Sequence, residues 1–355
     1  MQSNTVKAVE WNNNQLILLD QRKLPKSEVY VTCADIGTVI DSIKTMVVRG
    51  APAIGICAAY GVVISARSNY KAQMLPSELE NYKNLVLKEL VLLADARPTA
   101  VNLMWAVNKM KRYFISAYQH TNIVDELLIL AKQIHDDDIA NNHRMGELAS
   151  TYMAETTEAP FSVLTHCNAG ALATGGYGTA LGAIRSAWQK KLIDCVYADE
   201  TRPWLQGSRL TAWELAQDGI PVCLNTDSAA AWLLANKKIK WIIVGADRVA
   251  ANGDVVNKIG TYSLAVIAKY HGVKMMVVAP SSTIDMSLET GKDIDIEMRS
   301  NQELTHISGA EIAPEGVAGI NPVFDLTPAE LIDVLVTEKG TITAPTSGKM
   351  QATFA

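Results

Sequence analysis

The chain has 355 residues, 48% of them apolar, and a formal net charge of −5. That length accommodates two domains and a sizeable core. The acidic balance argues against nucleic acid or an anionic membrane as the main partner, but it leaves room for a phosphorylated small molecule, which needs only a few local cations.

Residues 1–5 lack the charged and apolar blocks of a signal peptide. The longest apolar stretch, 51–65, lies between Arg49 and Arg67, contains Pro52, Gly55 and Gly61, and falls short of the roughly 20 residues of a membrane span. The five cysteines, Cys33, Cys57, Cys167, Cys195 and Cys223, include no Cys-x-x-Cys pair. Neither a disulfide framework nor a zinc spacing is present. Cys195 and Cys223 sit inside apolar runs and read as core residues. A reduced, cytoplasmic setting is expected.

In chain order, segments 6–11 and 15–20 flank Asn12, Asn13 and Asn14, a hairpin signal. Helical periodicity then runs over 34–48, 53–67, 76–94, 99–119 and 122–154. From Ala159 onward strands and helices alternate, which implies a parallel sheet. Cys167, Cys195 and Cys223 recur every 28 residues (195 − 167 = 223 − 195 = 28), close to a strand–helix repeat of about 30. The expected fold class is α/β: an N-terminal β-hairpin plus helical domain, followed by a Rossmann-like parallel-sheet domain. The composition switches near 154–160 and helix 122–154 fits either side; the division is drawn as 1–135 and 136–355. The tail, 341–355, reads as frayed.

Polar or thiol groups close the apolar runs of the second part. Cys167 follows 161–166, Asp199 and Glu200 follow 192–198, Asp227 follows 220–226, and Asp247 follows 241–246. In an open α/β sheet the ligand binds beyond the carboxyl ends of the strands, so these groups are expected to face one pocket. The Gly-rich segment 168–182 after Cys167 suits close backbone approach to a ligand or an anion at a helix start; an ordinary strand-to-helix turn is the alternative. A dinucleotide fingerprint fits poorly, because Gly176-x-Gly178 is followed by Leu181 where a third glycine is needed.

Cys167 is either a buried structural thiol or a reactive group at a strand end. Asp247 is either a turn or cap residue or a partly desolvated general acid. Asp254 is a candidate N-cap of a helix running to His271 and Gly272, with Asn257 and Lys258 in its first turn. A lysine there opposes the helix dipole, so a bound phosphate or plain solvation explains it. Arg49, Gly50 and Ala51 precede Pro52 at one helix start, and Arg97 precedes Pro98 at another. Gln206 lies in a polar loop, 200–207, that leads to a helix ending near Gly219. His135 and His143 straddle three aspartates and read as a solvated helix face.

Taken together, Arg49-Gly50-Ala51-Pro52-Ala53-Ile54-Gly55, Arg97-Pro98-Thr99-Ala100-Val101-Asn102-Leu103, 165–182, 198–214 and 244–265 resemble the methylthioribose-1-phosphate isomerases of methionine salvage. The resemblance spans nearly the whole chain. It implies an aldose–ketose isomerase that converts 5-methylthioribose 1-phosphate to 5-methylthioribulose 1-phosphate. It also implies Cys167 and Asp247 as the catalytic pair. Arg49, Gly50, Ala51, Arg97, Gln206, Asn257 and Lys258 would bind substrate. A small N-terminal domain, a Rossmann-like domain and a homodimer are implied, with no metal and no organic cofactor. Whether hydrogen moves as a proton or a hydride stays open. The rivals are ribose-1,5-bisphosphate isomerase, a non-catalytic regulatory subunit of the translation-initiation exchange factor, and an NAD-dependent oxidoreductase.

Overall fold

The computed structural model describes residues 6–97, 101–307 and 309–354. It opens on the expected hairpin, β1 (Val9–Asn12) and β2 (Gln15–Leu19), with Asn12 opposite Gln15. Asn13 and Asn14 stand at φ of 47° and 60°; two left-handed residues make the turn whose twist matches that of the flanking strands. A third strand, β3 (Tyr30–Cys33), pairs antiparallel with β2. It buries only Cys33 fully, so it lacks the strong alternation that would announce it.

Five helices follow: α1 (Ile36–Lys44), α2 (Ala51–Asn69), α3 (Pro76–Ala94), α4 (Val101–Ala117) and α5 (Ile123–Thr156). Each covers the core of an expected helical segment. Asp35 caps α1 through its carboxylate, which accepts from Thr38 N–H at 2.9 Å. Helix α2 is apolar all round and buried from Ala53 to Ala66, the pattern of a helix enclosed by its neighbours. It extends past the apolar run of the sequence to 19 residues, long and apolar enough to cross a membrane, yet 78% of its apolar window is buried within the fold. Helices α1, α3 and α4 surround it.

The chain divides into two units. The first comprises residues up to 142 together with Gly170–Gly178, and the second His143–Ala169 and 179 onward. In the first, α5 holds the Gly-rich segment. The Asp138 carboxylate accepts from Gly175 N–H at 2.7 Å, and Asn142 Nδ2 donates to the Gly176 carbonyl at 3.0 Å. His135 Nε2 donates to the Gly175 carbonyl at 2.9 Å, which leaves Nδ1 to accept from the Tyr60 hydroxyl at 3.2 Å. His135 is therefore a packed, hydrogen-bonded residue rather than part of a solvated face. His143 is exposed.

The second unit continues with β4 (Phe161–Thr165), α6 (Ala180–Gln189), β5 (Ile193–Asp199), α7 (Ala212–Gln217), β6 (Val222–Asn225), α8 (Ala230–Asn236) and β7 (Ile239–Val244). Next come β8 (Arg248–Ala250), β9 (Val255–Lys258), α9 (Thr261–His271), β10 (Lys274–Val278), β11 (Ile284–Asp285), α10 (Gln302–Thr305), β12 (His306–Ile307) and β13 (Ala310–Glu311). The chain ends on β14 (Phe324–Thr327), β15 (Val334–Thr337), β16 (Gly340–Thr343) and α11 (Ser347–Phe354). The main sheet has the order β16-β15-β10-β7-β4-β5-β6 and is parallel except for β16. Along β7, Trp241 and Ile243 enter one apolar cluster while Ile242 and Val244 enter another. The sheet is thus covered on both faces, which is why its strands read as unbroken apolar runs. The tail is built into this unit rather than frayed: β16 pairs with β15, and Met350 of α11 is fully buried. Cys195 is half-buried and Cys223 exposed on the edge strand β6, so neither is a core residue.

Candidate active site

The strand order reverses between β4 and β7: the chain steps outward from β4 to β5 and β6, then crosses back to β7 on the other side. A crevice at such a switch point is where open α/β sheets bind ligands. Cys167 lies two residues beyond the last residue of β4, Thr165, and Asp247 lies three beyond the last residue of β7, Val244. The two strands are neighbours in parallel register, with Leu164 opposite Ile242. The two groups therefore leave adjacent strands at the same end of the sheet.

A second, four-stranded sheet, β11-β8-β9-β14, starts directly after Asp247. Asp247 N–H donates to the Val256 carbonyl at 2.9 Å, which brings the aspartate beside the end of β9. Asn257 and Lys258 are the last two residues of that strand, and both are buried. They do not form the first turn of a helix, so the helix-dipole argument for a phosphate there falls. Two β-branched residues, Val255 and Val256, favour the strand. Helix α9 begins only at Thr261, after Gly260 in a left-handed conformation. Nor does Asp254 cap it: that carboxylate accepts from Gly291 N–H at 3.1 Å and Ala329 N–H at 2.9 Å. The cap is Asp325, which takes Gly260 N–H at 2.7 Å and Tyr262 N–H at 3.1 Å. Burial pushes the Asp325 carboxyl up, against those two bonds.

Beside Cys167, His166 is 3% exposed. Its Nε2 donates to the Ile259 carbonyl at 2.8 Å, tying the end of β4 to the residue after Lys258. Its Nδ1 lies 2.9 Å from Asp199 Oδ2. Burial alone would lower the imidazole; the hydrogen bond and charge of Asp199 outweigh it and hold His166 above its ordinary value. Burial likewise pushes Asp199 up, and His166 pulls it part of the way back.

The acidic strand-end groups thus divide by role. Asp199 also accepts from Asn225 Nδ2 at 2.6 Å, and Asp227 accepts from Thr201 N–H at 2.7 Å and Arg202 N–H at 2.8 Å. Both are structural acceptors rather than the reactive groups expected from the sequence. Ligating atoms of His166, Asp199 and Asp227 do lie within 4.8 Å of one another. Each residue is already engaged in these bonds, so the cluster is a hydrogen-bond network and fits a metal poorly.

Cys167 has a φ of 62°, an uncommon value for a residue with a side chain. Its N–H donates to Thr201 Oγ1 at 2.8 Å, and its carbonyl accepts from Thr211 Oγ1 at 2.5 Å. Thr211 ends a π-helical turn, Gly207–Thr211, that leads into α7. Gln206 caps the start of that turn, is 8% exposed, and its Oε1 has no hydrogen-bond partner among the described residues. An orphaned buried amide oxygen is a group awaiting a donor. His166, Thr201 and Thr211 carry no local signal in the sequence; the partners that tie them into the site lie 33 to 93 residues away.

In the first unit, Gly50 stands at φ 94° at the start of α2, with Pro52 in the first turn. A Cβ on Gly50 would sit 2.5 Å from the Ala173 carbonyl oxygen, so only glycine fits between Arg49 and Ala51. Arg97 follows α3; Pro98, Thr99 and Ala100 lie outside the described residues.

The Initiation factor 2 subunit family model matches residues 47–344. A methylthioribose-1-phosphate isomerase of Thioalkalivibrio sulfidiphilus is 54% identical over 348 residues, covering 98% of this chain and 97% of that protein. The solved 5-methylthioribose 1-phosphate isomerase of Pyrococcus horikoshii OT3 superposes with a TM-score of 0.92 at 39% identity, over 99% of this chain and 96% of its own. A structure described as translation initiation factor eIF-2B, subunit delta, from A. fulgidus gives a TM-score of 0.86, also at 39% identity, over 98% and 100%. The chain belongs to the Initiation factor 2 subunit family and, within it, to the methylthioribose-1-phosphate isomerases.

Proposed function

We propose that this protein converts 5-methylthioribose 1-phosphate to 5-methylthioribulose 1-phosphate, the aldose–ketose isomerisation of methionine salvage. The observation that carries the reading is the placement of Cys167 and Asp247 just beyond adjacent strands at the switch point, in a chain with full-length kinship to isomerases.

A sugar phosphorylated at its anomeric carbon cannot open its ring freely. Asp247 is the proposed acid: it gives a proton to the ring oxygen as the bond from that oxygen to C1 breaks. The hydrogen on C2 then moves to C1 with Cys167 as the partner in that transfer, and the C2 hydroxyl becomes the carbonyl by releasing its proton, which restores the Asp247 carboxyl for the next turnover. No atom is gained or lost overall. Gln206, Asn257 and Lys258 are proposed as substrate-binding groups. Support comes from the orphaned Oε1 of Gln206 and the burial of Asn257 and Lys258. Arg49, Gly50, Ala51 and Arg97 of the first unit are proposed as substrate-binding on the resemblance in sequence alone. The protein is further proposed to act as a cytoplasmic homodimer.

An assay of the full chain on methylthioribose 1-phosphate, with no nicotinamide cofactor added, tests the function. Turnover of substrate alone supports it. Failure to turn over overturns it and favours the binding role suggested by the relative described as an initiation-factor subunit.

A further inference from the structure

A π-helical turn is rare, and such turns are often found at functional sites. Here the turn is Gly207–Thr211. It is seated by Gly207, where a Cβ would fall 1.6 Å from the Asp199 carbonyl oxygen. No side chain can be accommodated there, so the turn lies directly on the end of β5. Its last residue, Thr211, is fully buried and reaches Cys167.

The hydroxyl directions follow from the partners. The Cys167 carbonyl can only accept, so Thr211 donates to it at 2.5 Å, and Thr211 Oγ1 in turn accepts from Asn168 Nδ2 at 3.1 Å. Asn168 Nδ2 also donates to Glu214 Oε2 at 3.1 Å, and Glu214 pairs with Arg185 at 2.8 Å, all three side chains being buried. On the other side, Cys167 N–H can only donate, so Thr201 Oγ1 accepts at 2.8 Å and sends its own hydrogen to the Asp199 carbonyl at 3.1 Å. Thr201 is itself held by Asp227 through its N–H at 2.7 Å. Both backbone polar groups of one left-handed residue are thus taken by hydroxyls 34 and 44 positions away.

We propose that Thr201 and Thr211 are positioning residues: their hydroxyls clamp the backbone of Cys167 in its left-handed conformation and so set where its Sγ stands beyond β4. This rests on the reading that Cys167 takes part in the isomerisation.

The test uses the full chain with Thr211→Val, Thr211→Ser, Thr201→Val and Thr201→Ser, with Cys167→Ser as reference. Valine keeps the shape and loses the hydroxyl; serine keeps the hydroxyl. Two quantities are read: kcat and KM on methylthioribose 1-phosphate, and the rate of Cys167 alkylation by iodoacetamide, followed on the Cys167 peptide by mass spectrometry. Each valine variant is expected to lose about 10- to 100-fold in kcat, the effect of a misplacement on the order of 1 Å, with KM within about threefold. Its Cys167 alkylation rate should change several-fold. Each serine variant should return both readouts to near the parent. Valine variants with parental kcat overturn the proposal, as do serine variants as impaired as valine, since the methyl packing would then be what matters. If Thr211→Val does not fold, the Thr201 pair decides by the same criteria. A parental rate in Cys167→Ser overturns the assignment of Cys167 and with it the positioning role, whereas a clamp that fails alone leaves Cys167→Ser inactive.

Discussion

His166 Nδ1 lies 2.9 Å from Asp199 Oδ2 with both residues buried, and the opposite ring nitrogen donates to a backbone carbonyl at 2.8 Å. The carbonyl fixes a hydrogen on Nε2, so the Nδ1–Oδ2 contact shares one further proton and the pair is neutral as a whole. Both groups are shifted upward from their ordinary values. The folded state therefore holds this proton at a pH where the unfolded chain has released it. The stabilisation is complete below the ordinary histidine value of about 6.5 and is lost as pH rises through the folded value. His166→Gln should lower stability by about 3–5 kcal/mol near neutral pH, because it leaves a buried carboxylate without its partner. In urea titrations, the gap between parent and variant should narrow from pH 6 to pH 9. A gap that widens over that range would contradict this account of the pair.

Cys167→Ser and Asp247→Asn should each cut turnover by about 10²–10⁴-fold, the usual contribution of a positioned acid or base. Substrate affinity, measured directly by calorimetry, should stay near the parental value. A variant that turns over at the parental rate removes its residue from the mechanism.

Much of this arrangement is legible in the sequence, for a physical reason. The residues just beyond β4 and β7 are polar groups closing apolar runs, and a doubly covered sheet makes those runs conspicuous. Helices were legible where periodicity is long, as in α3 (Pro76–Ala94). Short strands were not. Strand β9 has four residues, and Asp254 before it imitates an N-cap, so Asn257 and Lys258 read as helical. The groups that hold Cys167 and Lys258 in place escaped notice because their bonds join residues 34 to 93 positions apart. No local pattern records such pairings.

Lys258 is 9% exposed, with its ammonium 4.8 Å from the centre of the Phe324 ring. If it contacts the substrate phosphate, Lys258→Ala should weaken binding by roughly 1.5–3 kcal/mol, the scale of one hydrogen bond to a charged group. Arg97→Ala should show a loss of the same order. Titration of each variant with inorganic phosphate checks this; unchanged affinity in both would place the phosphate elsewhere.

Ribose 1,5-bisphosphate should be a much poorer substrate than methylthioribose 1-phosphate. A second phosphate needs another cation, and the net charge of −5 leaves no surplus. Arg202, in the same loop as the proposed site residue Gln206, turns its guanidinium onto the carbonyls of Pro203 at 3.1 Å and Leu304 at 3.1 Å. A thioether asks only for apolar contact. Side-by-side kcat/KM values decide the matter: equal or better use of the bisphosphate would reassign the substrate while keeping the isomerase class.

At φ 62°, the backbone of Cys167 occupies a region that glycine enters without penalty and L-residues enter at a cost of about 1–2 kcal/mol. Folding and chemistry thus make opposite demands on one position. Cys167→Gly should give a protein that melts no earlier than the parent although a side chain is gone, and that turns over no substrate. An evolving lineage released from the need for the isomerase would have a downhill step open here: a change favoured by stability alone would also erase the activity.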